Sequence, residues 1–103
     1  MIYRMREYDI QPHRFSDFNY LFYHFLLPNQ KKHGAILIGR FINEDKTKII
    51  AIWEYKNIEH YYEIEQKIIQ TELHEKAQAF KSSIPPLYIR TQQTFWDNTN
   101  KFI

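Results

Sequence analysis

Apolar and polar residues alternate at the start of the chain and then change to a helical spacing. Residues 2–10 alternate, which predicts a first strand. Pro12 follows, where the first turn of a helix accepts proline. Bulky apolar residues then recur at steps of three and four along one helix face, at Phe15, Phe18, Phe22, Phe25 and Leu26. We expect this helix to bend or end near Pro28 and to finish at the cations of residues 31–33, before Gly34.

Two isoleucine-rich segments come next, at residues 35–42 and 48–55, and polar residues separate them. This pattern predicts two strands joined as a hairpin. Asn57 and Thr71 stand where the caps of two further helical segments are expected.

The last part of the chain returns to a strand pattern. Pro85 and Pro86 end the helical region, and residues 87–96 alternate as a fourth strand. The predicted order is therefore strand, helix, strand, strand, helix, strand, which is that of the α+β ferredoxin-like fold with a four-stranded antiparallel sheet. No linker or repeat divides the chain, so we expect one domain over residues 1–103, with a core over residues 2–96 and a polar tail, residues 97–103, that frays.

The hairpin strands are apolar on both sides. By simple alternation Ile36, Ile38 and Ile42 point one way, and Ala35, Leu37 and Phe41 point the other. In the next strand Ile50 and Ile52 oppose a second apolar set, which is Ile49, Ala51, Trp53 and Tyr55. The helices cover only one face of such a sheet, so we expect the other face to pack on a second copy and form a homodimer.

Composition narrows the function classes. Cysteine is absent, which excludes disulfides and thiolate chemistry and fits a reducing compartment such as the cytoplasm. The formal net charge is only +2, with the basic residues dispersed, so we expect no nucleic-acid partner and no membrane partner. No apolar stretch approaches the roughly 20 residues of a bilayer span, and no targeting segment is expected at the N-terminus.

Several short motifs together resemble one family. They are Ile2-Tyr3 with Arg6 and Tyr8, the helix end from Leu27-Pro28 to Lys31-Lys32-His33-Gly34, Trp53-Glu54-Tyr55, Ala79-Phe80, and Pro85-Pro86-Leu87. On these residues the chain resembles the NIPSNAP family, a branch of the dimeric α/β-barrel superfamily. That superfamily also contains antibiotic-biosynthesis monooxygenases, haem-degrading enzymes and chlorite-dismutase-like proteins. The resemblance implies a dimeric α/β barrel and no single reaction.

Two positions depart from the family pattern. Arg4 stands where the family often has an acidic residue, and Tyr61-Tyr62 occupy a helix start that is often basic.

Side chains that combine an apolar body with a polar tip mark a candidate ligand site. We predict that a ligand contacts Arg6, Tyr8, Trp53, Glu54 and Tyr55, which are on strands expected to be neighbours at the sheet centre. Arg6 and Glu54 are expected either to orient a polar ligand head or to form a structural ion pair. Without the register, alternation leaves open whether Trp53 and Tyr55 face the cleft or the dimer interface.

Catalytic residues and a metal site are not indicated. The five histidines, His13, His24, His33, His60 and His74, form no metal-binding motif, and no serine lies in a nucleophile elbow. We expect no cofactor, with haem left as an alternative because relatives bind it between helices and sheet. The sequence thus favours a small homodimeric protein that binds a small apolar or aromatic ligand between sheet and helices. A cofactor-independent monooxygenase-like enzyme or a haem-binding enzyme is the alternative.

Overall fold

The computed structural model describes residues 1–103 and contains one four-stranded antiparallel sheet. The strands are β1 (Ile2–Asp9), β2 (Ile36–Ile42), β3 (Lys48–Tyr55) and β4 (Arg90–Asp97), in the order β2-β3-β1-β4. β1 pairs along its whole length with β3 on one side and β4 on the other. The predicted ferredoxin-like α+β fold is confirmed.

The first helical region has three parts. A 3-10 turn at Pro12–Arg14 leads into α1 (Phe15–Leu21), a π-helical stretch at Phe22–Leu26, and α2 (Leu27–Lys32). In the π stretch the Leu27 N–H donates to the Phe22 carbonyl, five residues back. Pro28 explains the widening, because it has no N–H to donate and its ring crowds the carbonyl four residues before it. At Pro28, where a bend or an end was expected, the helix instead widens and continues. The region ends as predicted at Lys32, and Gly34 follows with φ 105°.

Two helices follow the hairpin, α3 (Ile58–Ile68) and α4 (Glu72–Ser82), and each has the predicted cap. The Asn57 side chain accepts from the His60 N–H at 2.7 Å. The Thr71 hydroxyl accepts from the His74 N–H at 3.1 Å. These bonds satisfy N–H groups that a helix leaves unpaired at its start.

The end of the chain differs from the sequence prediction. β4 begins at Arg90 rather than at residue 87, because Leu87 is buried in the core and leads the chain in as a loop. The tail contains a 3-10 turn at Thr99–Phe102. The Lys101 ammonium donates to the Asp97 carboxylate at 2.9 Å, and this contact, with the exposed Asn98 cap, holds the turn on the end of β4.

A β-bulge in β2 corrects the predicted facing of the hairpin. The pairing with β3 shifts between Leu37 and Gly39, so one extra residue enters β2. Beyond the bulge Phe41 lies opposite Ile50, on the outer face with Ile36, and Ile42 lies opposite Ile49, on the helix side. Simple alternation placed Phe41 and Ile42 on the opposite faces. It did not allow for the inserted residue, which reverses the facing of every later side chain.

The helices pack on one face of the sheet and leave the other face uncovered. Along β3 every second residue is buried under the helices, at Ile49, Ala51, Trp53 and Tyr55. On the outer face Ile36, Phe41 and Trp96 are 53%, 58% and 55% exposed. None of the helices is long and apolar enough to cross a membrane.

The buried apolar residues form two clusters rather than one. The larger cluster joins β3 to α3 through Trp53, Tyr55, Tyr61 and Ile64. The smaller one joins α1 and α4 to the opposite end of the sheet through Phe18, Leu21 and Ala77. The space between them contains the site.

Candidate functional site

The strand register decides which predicted site residues share a face. Arg4 lies opposite Trp53, and Ile2 lies opposite Tyr55. Directly opposed residues of an antiparallel pair point to the same side, and alternate residues of one strand do so as well. Arg6, Tyr8, Trp53 and Tyr55 therefore all face the helices, which removes the ambiguity left by the sequence.

Glu54 does not join this group, so its predicted position must be corrected. It lies opposite Tyr3, and both residues point to the outer face of the sheet. The expected pair between Arg6 and Glu54 is absent, because the sheet separates the two side chains.

A cleft of about 180 Å³ lies between the sheet and the helices. Its floor is formed by strand residues and its walls by aromatic and aliphatic side chains from both core clusters. The lining residues are Arg4, Arg6, Tyr8, Phe18, Phe22, Leu26, Gln30, Arg40, Ala51, Trp53, Glu65, Ile68, Ile69, His74 and Gln78. Three of the five predicted residues, Arg6, Tyr8 and Trp53, line this cleft. Tyr55 is 1% exposed and does not line the cleft. Its hydroxyl lies 3.3 Å from Arg4 Nη1.

Arg4 is buried at the end of the cleft, and its hydrogen bonds are made within the protein. Its Nε donates to Gln93 Oε1 at 2.9 Å, and its Nη1 lies 3.3 Å from the Tyr55 hydroxyl and 3.5 Å from Glu65 Oε1. Burial by itself lowers the pKa of Arg4, but the Tyr55 oxygen, with Tyr61 and Glu65, outweighs it, so the pKa is raised. Arg4 is thus a charged structural residue.

The two departures from the family pattern meet in space. The Arg4 guanidinium lies over the Tyr61 ring, 5.0 Å from its centre. A cation above an aromatic face is attracted to it, so Arg4 and Tyr61 form a pair that suits a buried arginine.

Arg6 and Arg40 lie on either side of one small residue. Arg6 on β1 and Arg40 on β2 are both opposite Ala51 on β3. Arg6 donates to the Thr91 hydroxyl at 3.0 Å, and Arg40 donates to Asn19 Oδ1 at 2.6 Å. Neither forms an ion pair. Arg6 Nε and Arg40 Nη2 are buried without a hydrogen-bond partner.

The aromatic residues beside these arginines are also affected by burial. The Arg40 guanidinium lies 4.3 Å from the centre of the Phe22 ring, and that of Arg6 lies 5.0 Å from the centre of the Tyr8 ring. Burial lowers the pKa of Arg40, against the opposing effect of the Tyr23 hydroxyl. Burial raises the pKa of Tyr8 although Arg6, Arg4 and Arg40 all act to lower it. Tyr8 is therefore neutral near pH 7 and provides no negative charge for the arginines.

The histidines form no metal centre. No group of three histidine, aspartate or glutamate side chains is placed to hold a metal ion. Only His74 lines the cleft. His60 Nδ1 accepts from the Lys56 N–H at 3.0 Å, His33 Nδ1 lies 2.8 Å from the Asn29 carbonyl oxygen, and His24 stacks on Tyr20.

The cleft is a poor fit for haem. A cavity of about 150 Å³ accommodates a benzene ring, and the present cleft is about 180 Å³, whereas haem has four pyrrole rings. The cleft therefore has no room for a haem group.

Sequence reasoning missed Arg4, Arg40, Ala51 and Glu65 as residues of the cleft. The charged side chains on strands were visible in the sequence, since Arg4 and Arg40 stand within apolar alternation. Gly39 was the further signal, because an isolated glycine inside a strand pattern indicates a bulge, and the bulge turns Arg40 towards the helices.

The protein is an α+β domain of the ferredoxin-like class, in which helices cover one face of a four-stranded sheet. A cleft lies between the helices and the sheet. Comparison with known families then identifies the family. The sequence model of the NIPSNAP family matches residues 3–96, so the chain belongs to the NIPSNAP family. A search of the curated proteins found no match.

Solved structures share the fold at low sequence identity. Protein Atu4242 from Agrobacterium tumefaciens is 18% identical with a TM-score of 0.78, covering 94% of this chain and 92% of its own. An uncharacterized NIPSNAP domain protein from Burkholderia xenovorans is 20% identical with a TM-score of 0.76, covering 95% and 94%. A monooxygenase of Streptomyces coelicolor, in complex with the ligand nanaomycin D, is 13% identical with a TM-score of 0.69, covering 94% and 86%. At these identities the likeness concerns the fold.

Proposed function

We propose that this protein binds a small aromatic molecule in the cleft between sheet and helices, and that it does so as a homodimer. The observation that carries the proposal is the cleft itself, a space of about 180 Å³ between two core clusters with aromatic side chains on its walls. A close-packed interior leaves few voids larger than a water molecule, and a space of this size has room for about one aromatic ring.

The size and lining of the cleft support a ligand with one aromatic ring. Phe18, Phe22 and Trp53 offer apolar ring surface, and the Phe22 and Trp53 ring centres lie 5.9 Å apart. Ala51 contributes only a methyl group to the floor of the cleft. An aromatic ring placed there gains offset or edge contacts with its neighbours in addition to burying its surface.

Calorimetric titration with benzyl alcohol tests this proposal. We expect saturable binding to the natural chain and no binding to Ala51→Leu, because the larger side chain fills the floor of the cleft. Ala79→Leu, on the exposed side of α4, is the matched control and should bind as the natural chain does. Binding that Ala51→Leu leaves unchanged would overturn the cleft as the site.

The outer face of the sheet supports the homodimer. Ile36, Phe41 and Trp96 are exposed there beside the half-buried Ile50 and Ile52. Apolar patches of this kind on a small domain mark interaction surfaces, and a face shared by two identical copies closes on itself as a twofold interface. A stable interface buries roughly 1,200 Å² or more in total. Light scattering should give twice the chain mass of 12.8 kDa.

A cofactor-independent monooxygenase is a second candidate. It is favoured by the fold shared with the Streptomyces coelicolor monooxygenase and by Tyr8 and Trp53 in the cleft, where a bound ring would be shielded from water. Oxygen consumption with hydroquinone substrates tests it. Turnover that is lost in Trp53→Phe and kept in Trp96→Phe would place this candidate first.

We propose that binding needs no cofactor. We also propose that it takes place in the cytoplasm, because the absence of cysteine fits a reducing compartment. Titration with haem should leave the Soret band of free haem unshifted. A tight complex that is lost in His74→Ala would contradict the proposal.

A further inference from the structure

The charges in the cleft do not balance. Three arginines, Arg4, Arg6 and Arg40, line it together with one carboxylate, that of Glu65. Glu65 is paired with Arg4 at 3.5 Å. Arg6 and Arg40 therefore bring two positive charges into a partly desolvated space with no anion of the protein against them.

Both arginines that have no carboxylate partner line the same cleft. Because both lie opposite Ala51, their backbones are two strand spacings apart, about 10 Å. The residue between them, Ala51, has only a methyl side chain and lines the cleft together with both arginines. Each has a buried N–H group without an acceptor, at Arg6 Nε and at Arg40 Nη2.

We propose that the cleft holds the carboxylate of a small aromatic acid between Arg6 and Arg40, above Ala51, with the aromatic ring against Phe22 and Trp53. This inference rests on the proposed function and specifies its ligand class. The acid supplies what the cleft lacks, which is one negative charge and acceptors for two unpaired N–H groups.

The donor set favours a carboxylate over a phosphate. A carboxylate has two oxygens in one plane, and the cleft offers two buried N–H groups without partners. A phosphate has more oxygens and a larger charge than two N–H groups satisfy. The walls at Phe18, Phe22 and Leu26 give its oxygens no hydrogen bonds, which leaves side chains such as Gln30, His74 and Gln78 as the further polar groups of the lining. Arginine is also the residue whose geometry suits a planar carboxylate.

Benzoate and its neutral counterpart benzamide test this inference by calorimetric titration of the full chain. We expect benzoate to bind about ten-fold more tightly or better, because the charge-assisted hydrogen bonds are lost with the neutral amide. Arg6→Met and Arg40→Met should each bring the affinities for benzoate and benzamide to within about two-fold of one another, because each removes one of the two charged donors. The matched control is Arg90→Met, an exposed arginine that pairs with Asp9 away from the cleft.

The possible outcomes separate this inference from the proposed function. If benzamide and benzyl alcohol bind as tightly as benzoate, the carboxylate inference is wrong and the aromatic cleft stands. If none of the three compounds binds, both are wrong. If inorganic phosphate displaces benzoate at lower concentration than benzoate itself requires, the site is a phosphate site and the inference is overturned. If a variant fails to fold, the comparison of benzoate with benzamide on the natural chain decides the question.

Discussion

The Arg4 guanidinium lies 5.0 Å above the centre of the Tyr61 ring and 3.5 Å from the Glu65 carboxylate, which joins β1 to α3 at the end of the cleft. A cation at this position would be costly without such partners, because it is only 5% exposed. The arrangement fixes the wall of the cleft formed by α3 and leaves Arg6 and Arg40 as the arginines that are free to meet a ligand.

Replacement of Arg4 by methionine should destabilise the fold. Arg4→Met keeps most of the side-chain volume but removes the donor to Tyr55, Gln93 and Glu65. Glu65 keeps the bond from Gln30 Nε2 at 3.2 Å. We expect a loss of about 2 kcal/mol in the free energy of unfolding, which is less than the roughly 3–5 kcal/mol of a fully buried pair because Glu65 retains access to water. Urea denaturation measures it. Arg90→Met, at a side chain 77% exposed, should stay within about 0.5 kcal/mol, and an equal loss in both variants would contradict this account.

The helix cap at Asn57 should contribute more than the similar cap at Asn98. Asn57→Ala removes the acceptor of the His60 N–H at the start of α3 and should cost about 1 kcal/mol. Asn98→Ala removes an equivalent bond to the Asn100 N–H, but only in an exposed terminal turn. Thermal unfolding should therefore shift clearly in the first variant and little in the second. The reverse order would contradict the assignment of α3 to the core.

Stability should fall at high pH, because buried tyrosines ionise with difficulty. Burial raises the pKa of Tyr8 and of Tyr55, the latter against the effect of Arg4. A pKa raised in the folded state gives stability that is complete below the unfolded value, about 10, and is lost as the pH rises through the folded value. Urea denaturation from pH 8 to 11 should show this decline beginning near about pH 10.

Tyr8→Phe gives the control for that decline. Without the ionisable hydroxyl, the decrease in the free energy of unfolding above about pH 10 should be smaller than in the natural chain. Tyr62→Phe, at a tyrosine that is 59% exposed, should leave the decline unchanged. A steeper decline in Tyr8→Phe would contradict the burial of that hydroxyl.

The proposed homodimer predicts a difference between two equally exposed aromatic residues. Phe41 is 58% exposed on the outer face of the sheet, and Tyr62 is 59% exposed on α3. Phe41→Asp places a charge in the apolar interface and should give a monomer of 12.8 kDa by light scattering, whereas Tyr62→Asp should remain a dimer. A monomeric natural chain at micromolar concentration would show that the outer face is not the interface.

The order of elements was predictable from the sequence because each element carries its own local signals. The alternation of residues 2–10, the caps at Asn57 and Thr71, and Gly34 after the lysines each depend only on neighbouring residues. The facing of Arg6, Tyr8, Trp53 and Tyr55 was not predictable in the same way. It depends on the register between β1 and β3, which is set by long-range pairing.

The bulge explains why the sequence did not predict Arg40 as a residue of the cleft. By alternation Arg40 shares a side with Ile36 and would lie on the outer face, away from any cleft. The extra residue between Leu37 and Gly39 turns it to the helix side, opposite Ala51. Gly39 also leaves room for the Phe41 ring, because a Cβ at residue 39 would lie 2.5 Å from it. Glu54 was assigned to the cleft as a partner of Arg6 on the neighbouring strand, but the register places Glu54 opposite Tyr3, on the other face of the sheet.

The central claim is that an aromatic molecule occupies the cleft, and the fluorescence of Trp53 tests it most directly. The chain has two tryptophans, Trp53 in the cleft and Trp96 on the outer face, so Trp96→Phe leaves Trp53 as the only reporter. Benzyl alcohol should change its emission with a saturable dependence on concentration. Trp53→Phe, which retains Trp96, should remain a dimer and show no saturable change. An unchanged Trp53 signal, or an equal change at Trp96, would contradict the account.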